Sequence, residues 1–229
     1  MENKKIYRLS KFISIYSVIM VLFQILIYFN FEFIIDILNI SFPLLLSIIS
    51  PVYFFILYFN MYKTRKIKLS IYKSLKYILV VILFDFVISF FMIDFVDMFF
   101  ETNINLNIVE FENADIVFKD IILILLWDLL GEEGLKLGLY TFLDKIFLYD
   151  NLDIKTKEKR YIYIWIIISL IFGLLHLTAY EFNLLQCILV IGLPNIIYGW
   201  LWKKTKNPLA LWIAHVAYDA VSLYLILKI

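Results

Sequence analysis

The 229-residue chain is 63% hydrophobic and 19% aromatic, with only 18% charged residues and a net charge of +1. Soluble domains carry about 45–50% apolar and about 25% charged residues, so this composition excludes an ordinary soluble protein and a nucleic-acid surface. A single cysteine, Cys187, excludes an intrachain disulfide and a cysteine-based metal cluster.

A membrane-spanning helix needs about 20 mostly apolar residues. The sequence predicts seven, at 12–29, 42–61, 77–96, 116–142, 161–180, 184–202 and 208–227. The expected fold class is therefore all-α, a polytopic membrane helical bundle. The first apolar run is long and lacks a small-residue cleavage site, so it reads as a span and not as a cleaved signal.

The connections carry a charge code. Lys4, Lys5, Arg8 and Lys11 precede the first span, and residues 63–76 hold six basic residues and no acid. Lys155, Lys157, Lys159 and Arg160 precede the fifth span, and Lys203, Lys204 and Lys206 precede the seventh. The alternate connections are acidic: Glu32 and Asp36 in one, six acids across 94–115 in another. Lys and Arg stay on the cytoplasmic side, which predicts a cytoplasmic N-terminus and an outside C-terminus. Abundant Ile, Lys, Asn, Phe and Tyr suit an A/T-rich genome, and the expected location is a bacterial plasma membrane. The 94–115 segment reads as a solvated connector with room for a short interfacial helix.

An ionisable group at the bilayer centre costs at least about 2.5–3.5 kcal/mol, so such groups are paired, inward-facing and functional. Here they are Asp85, Asp128, Glu132, Glu133, Lys136, His176, His215 and Asp219. In the fourth span Asp128, Glu132 and Lys136 lie at i, i+4 and i+8, one stripe of a helix. Glu133 is rotated from Glu132 by about 100°. This spacing predicts a Glu132–Lys136 ion pair and leaves Glu133 as the freer carboxylate. The fifth span carries FGLLH, placing Phe172 and His176 on one face at i, i+4. The seventh carries HVAYD, with His215 and Asp219 at the same spacing, where the carboxylate can fix the imidazole tautomer. Asp85 has no evident partner. Gly134, beside the glutamates, suits close helix packing.

These groups suit peptide hydrolysis, which needs a water, a base to deprotonate it and a donor for the oxyanion. Glu132, His176, His215 and Asp219 are also competent ligands for zinc, three of them plus a water making an open site. Residue types alone leave both mechanisms open. Phosphate loops, serine nucleophile elbows and HExxH are missing.

In order along the chain, GEEGLKLG (131–138), SLIFGLLHL (169–177) and GWLWKKTKNPLALWIAHVAYDA (199–220) resemble the three motifs EExxxR, FxxxH and HxxxN/D of the type II CAAX prenyl endopeptidase family, also called CPBP or Abi intramembrane peptidases. The resemblance divides the chain into 1–115, three N-terminal helices and an outer loop, and 116–229, a protease core in the last four helices. It implies Glu132 as the water-activating base and Glu133 as its neighbour. It implies His176 as an aid to water activation, and His215 with Asp219 as the pair that holds the oxyanion or orients the site. Lys136 and Phe172 would support them. The family's arginine position is Leu137 here, and the basic residue sits one position earlier, an EExxK pattern similar to PrsW-type membrane proteases.

The implied function is an intramembrane endopeptidase acting on a membrane-associated peptide or protein, with bacteriocin processing or self-immunity as its setting. A catalytically impaired relative serving as an immunity or regulatory protein is one alternative. A proton-coupled transporter is another, against which no inverted repeat is visible.

Overall fold

The computed structural model describes residues 2–29, 40, 42–106, 109, 118–147 and 153–227. The acidic connector holding Glu32 and Asp36, and most of the possible interfacial helix before residue 118, lie outside the described residues. Among those described are seven long helices: α1 (Glu2–Tyr28), α2 (Phe42–Lys63), α3 (Ile71–Asp97), α4 (Phe118–Phe147), α5 (Ile154–Leu174), α6 (Leu184–Thr205) and α7 (Pro208–Leu227). Five of them, all but α4 and α5, are long and apolar enough to cross a membrane by length and composition. The other two carry the charges of the site and of the basic connection before α5. The chain is an integral membrane protein. The outward faces bear it out, since Leu79, Leu83, Phe84, Phe90 and Phe91 of α3 are all exposed. A stripe of this kind suits lipid and not water.

The fifth helix ends earlier than expected. It stops at Leu174, and the chain turns through His176 into a short 3₁₀ turn at Thr178–Tyr180. His176 therefore sits on a turn and not on the helical face of Phe172. Glu181 and Phe182 follow in left-handed backbone, at φ 49° and 61°, which no helix continues through.

α4 runs through the bundle against α1, α2, α5 and α7. Its glycines make this possible. A Cβ on Gly131 would lie 2.1 Å from the Leu46 carbonyl oxygen, and one on Gly134 would lie 2.1 Å from that of Ser50. Both obstacles are α2 backbone, so the packing reading of Gly134 holds. α2 is itself widened into a π turn at Leu45–Ile49, just ahead of Pro51. Proline lacks an N–H and its ring crowds the carbonyl four residues back. That carbonyl belongs to Ser47, and it accepts the Trp127 indole N–H of α4 instead, at 2.9 Å. The same device recurs in α6, where a π turn at Cys187–Gly192 precedes Pro194.

The basic connections gather at one end of the bundle. The N–H groups of Lys68 and Leu69 both donate to the Thr205 carbonyl at 3.0 Å, and the Asn207 amide donates to Leu69. Lys145, at the end of α4, lies 3.7 Å from the Tyr7 ring centroid of α1. At the opposite end Asn103 bonds Gln186 and Tyr180, and Asn183 bonds the Glu101 carbonyl.

Candidate functional site

Glu133 and Lys136 are fully buried, whereas the Glu132 side chain is 19% exposed. The ion pair joins Lys136 to Glu133 and not to Glu132. Three- and four-residue spacings both bring helical side chains together, so the helix alone does not choose between them. The neighbours choose. Lys136 Nζ donates to Asn195 Oδ1 at 3.0 Å and lies 4.6 Å from the ring centroids of both Phe172 and Tyr198. These acceptors and aromatic faces stand on the interior side of α4, where Glu133 also points. Cation–π contact is strongest when the cation is desolvated, as here. Glu132 is then the freer carboxylate, the reverse of the expectation from spacing.

The histidines are held differently. His215 Nδ1–H donates to Glu133 Oε1 at 2.9 Å, because a carboxylate only accepts. Its Nε2 faces Glu132 Oε2 at 3.8 Å and Asp219 Oδ2 at 3.7 Å. The pairing of His215 with Asp219 at i, i+4 is thus present, although the tautomer is set by Glu133. His176 Nδ1–H donates to the Phe172 carbonyl at 2.8 Å, which leaves Nε2 as an acceptor. The His176 ring sits edge-on to Phe172, with centroids 4.7 Å apart.

Glu132, Asp128 and His176 line one cavity of about 670 Å³. Phe42, Leu46, Leu135 and Leu175 supply apolar wall. Glu133, Lys136, His215 and Asp219 stand behind Glu132 and do not line it.

Three further residues complete the arrangement, and the motif reading did not include them. Asn195 Nδ2 donates to Ser169 Oγ at 3.2 Å, so Asn195 bridges Lys136 to α5. Tyr198 donates its hydroxyl to Asp85 Oδ2 at 2.8 Å, which answers the partnerless acid of α3. The available signal was Asn195 and Tyr198 at i, i+3 in an apolar run, one face of α6.

The ligand set Glu132, His176, His215 and Asp219 does not fit a zinc ion as it stands. Among the described residues no three His, Cys, Asp or Glu side chains gather closely enough to hold a metal.

Residues 118–221 match the family model described as type II CAAX prenyl endopeptidase Rce1-like. No curated protein and no solved structure matches the chain.

Proposed function

We propose, from the match of residues 118–221 to the Rce1-like type II CAAX prenyl endopeptidase model, that this chain is an intramembrane endopeptidase whose base is Glu132. The supporting observation is that Glu132 and His176 line the same cavity. Glu133 is withdrawn into a buried pair with Lys136.

The chemistry follows from the hydrogen bonds. A water between Glu132 and His176 Nε2 meets two acceptors, since His176 Nδ1–H is spent on the Phe172 carbonyl. Glu132 takes a proton as the water oxygen bonds to the scissile carbonyl carbon. The carbonyl oxygen gains the negative charge, and an N–H is needed to hold it. When His215 carries its second proton, Nε2–H faces the Glu132 and Asp219 carboxylates and steadies the base from behind, itself held through Nδ1 by Glu133. An ionised Asp219 accepts only, so its part is to orient His215. The C–N bond then breaks as Glu132 returns its proton to the amine. Glu133, Lys136 and Asn195 are positioning residues.

The substrate is a membrane-associated peptide or protein, in a bacterial setting a precursor peptide of the kind processed in bacteriocin maturation or self-immunity. The test is cleavage of a membrane-inserted reporter peptide by purified protein in liposomes. Glu132→Gln should lower the rate at least 10³-fold, about the scale lost with a general base, and His176→Ala should lower it strongly. Activity like that of the unaltered protein in both variants would sink the enzyme reading.

A further inference from the structure

We infer that Gln24 of α1 is a positioning residue for His176, and that α1 thereby sets the spacing between His176 and the helix that carries Glu132. The effect on rate rests on the peptidase reading of that pair, and the fastening on geometry alone.

His176 stands on a turn, so helical hydrogen bonds do not fix it. From Phe172 to Leu177, every carbonyl but one accepts from within the turn. Phe172 accepts from His176 Nδ1, Gly173 from the His176 N–H, Leu174 from Leu177, His176 from Ala179 and Leu177 from Phe182. The exception is Leu175, which adjoins His176 and lines the cavity. Its carbonyl accepts from Gln24 Nε2 at 2.9 Å. Buried backbone groups are nearly always paired, and this one is paired from another helix. Gln24 is fully buried, and its Oε1 has no hydrogen-bond partner. An orphaned amide oxygen is unfavourable, so the Nε2 bond is what this glutamine contributes.

The same helix is fixed to α4. A Cβ on Gly138 would lie 2.9 Å from Ile13 Cγ2, and Ser14 Oγ reaches the Gly138 carbonyl at 3.4 Å. Gly138 is less than two helical turns from Glu132, and Ile13 lies about 16 Å along α1 from Gln24. One continuous helix therefore joins the element bearing Glu132 to the turn bearing His176. The far end of the turn is held from the tail of α3. Asn103 Nδ2 donates to the Tyr180 carbonyl at 3.1 Å, and Asn183 Nδ2 to the Glu101 carbonyl at 2.9 Å. Gln24, Glu101 and Asn103 all precede the matched residues 118–221, so helices outside the motifs hold the His176 turn in place.

Gln24→Met keeps the bulk of the side chain and removes the amide. It should lower kcat for reporter cleavage at least about fivefold, since small misplacements of a reacting group are costly. In a His176→Ala background the same substitution should cost less than about twofold, because the group it positions is gone. A smaller loss in the single variant, or equal losses in both backgrounds, would overturn the inference. Asn103→Ala, at the half-buried far end of the turn, takes the same measurements if Gln24→Met does not fold. Backbone hydrogen exchange needs no cleavage: the amides of Ala179, Tyr180, Phe182 and Asn183 should exchange at least about fivefold faster in the variant, with α6 unchanged. Unchanged protection of the turn would overturn the fastening even where cleavage fell. Faster exchange of the turn in a protein whose unaltered form cleaves nothing would overturn the peptidase reading while supporting the fastening.

Discussion

Lys136→Met tests the reversal of partners within the glutamate pair. Methionine keeps much of the length and apolar stem but removes the charge. Glu133, fully buried, would keep only the His215 Nδ1 bond at 2.9 Å, and its Oε2 already has no hydrogen-bond partner. Breaking a buried pair from one side costs about 3–5 kcal/mol, because a charge is left uncompensated. At about 2–4 °C per kcal/mol for a chain of this size, the unfolding midpoint in detergent should fall by about 6–20 °C. The double variant Glu133→Gln with Lys136→Met leaves no charge. Glutamine still accepts from His215, so the remaining loss is the bond to Asn195, about 1 kcal/mol. The double variant should thus be more stable than Lys136→Met alone, a coupling that a double-mutant cycle reads directly. Glu132→Gln with Lys136→Met should show no such rescue. A single-variant loss under about 1 kcal/mol, or rescue through Glu132 instead, would refute the assignment of the pair.

Gly134→Ala should lower stability by about 1–3 kcal/mol, the usual cost of overpacking, since the obstacle is Ser50 backbone at 2.1 Å; an unchanged midpoint would contradict the close approach of α2 and α4. Burial pushes Lys206 down from its ordinary 10.5 to about 8, with Asp144 opposing. The folded state then holds that proton less tightly than the unfolded one, so stability should rise with pH between about 8 and 10.5. Lys206→Met should flatten that rise in melts recorded across the same range. Dialysis against a chelator should leave reporter cleavage unchanged, since among the described residues no three His, Cys, Asp or Glu side chains gather closely enough to hold a metal; loss restored by added zinc would show otherwise.

Much of the site was legible because membrane chemistry makes polar residues conspicuous. Glu132, Glu133, His176, His215 and Asp219 stood out as charges in apolar runs, and all but His176 fall on helices as expected. His176 was misplaced because apolar residues run on past the helix end, and hydropathy does not register the turn that follows Leu174. Asn195, Ser169 and Tyr198 were overlooked because uncharged polar residues are common in membrane helices, and only their partners reveal them. Asp85 lacked a partner in the sequence for the same reason, its Tyr198 being 113 positions away.

The sequence by itself determined the all-helical class and the seven long helices. Run length, hydropathy and the alternation of basic and acidic connections carry that information locally, residue by residue. It also determined that α4 would bear the acids. Tertiary structure alone decided which glutamate is free. Spacings of three and four residues serve an ion pair about equally well, and the helix is indifferent between them. Asn195, Phe172 and Tyr198, brought in from α6 and α5, draw Lys136 and Glu133 inward, while Glu132 faces the cavity it shares with His176.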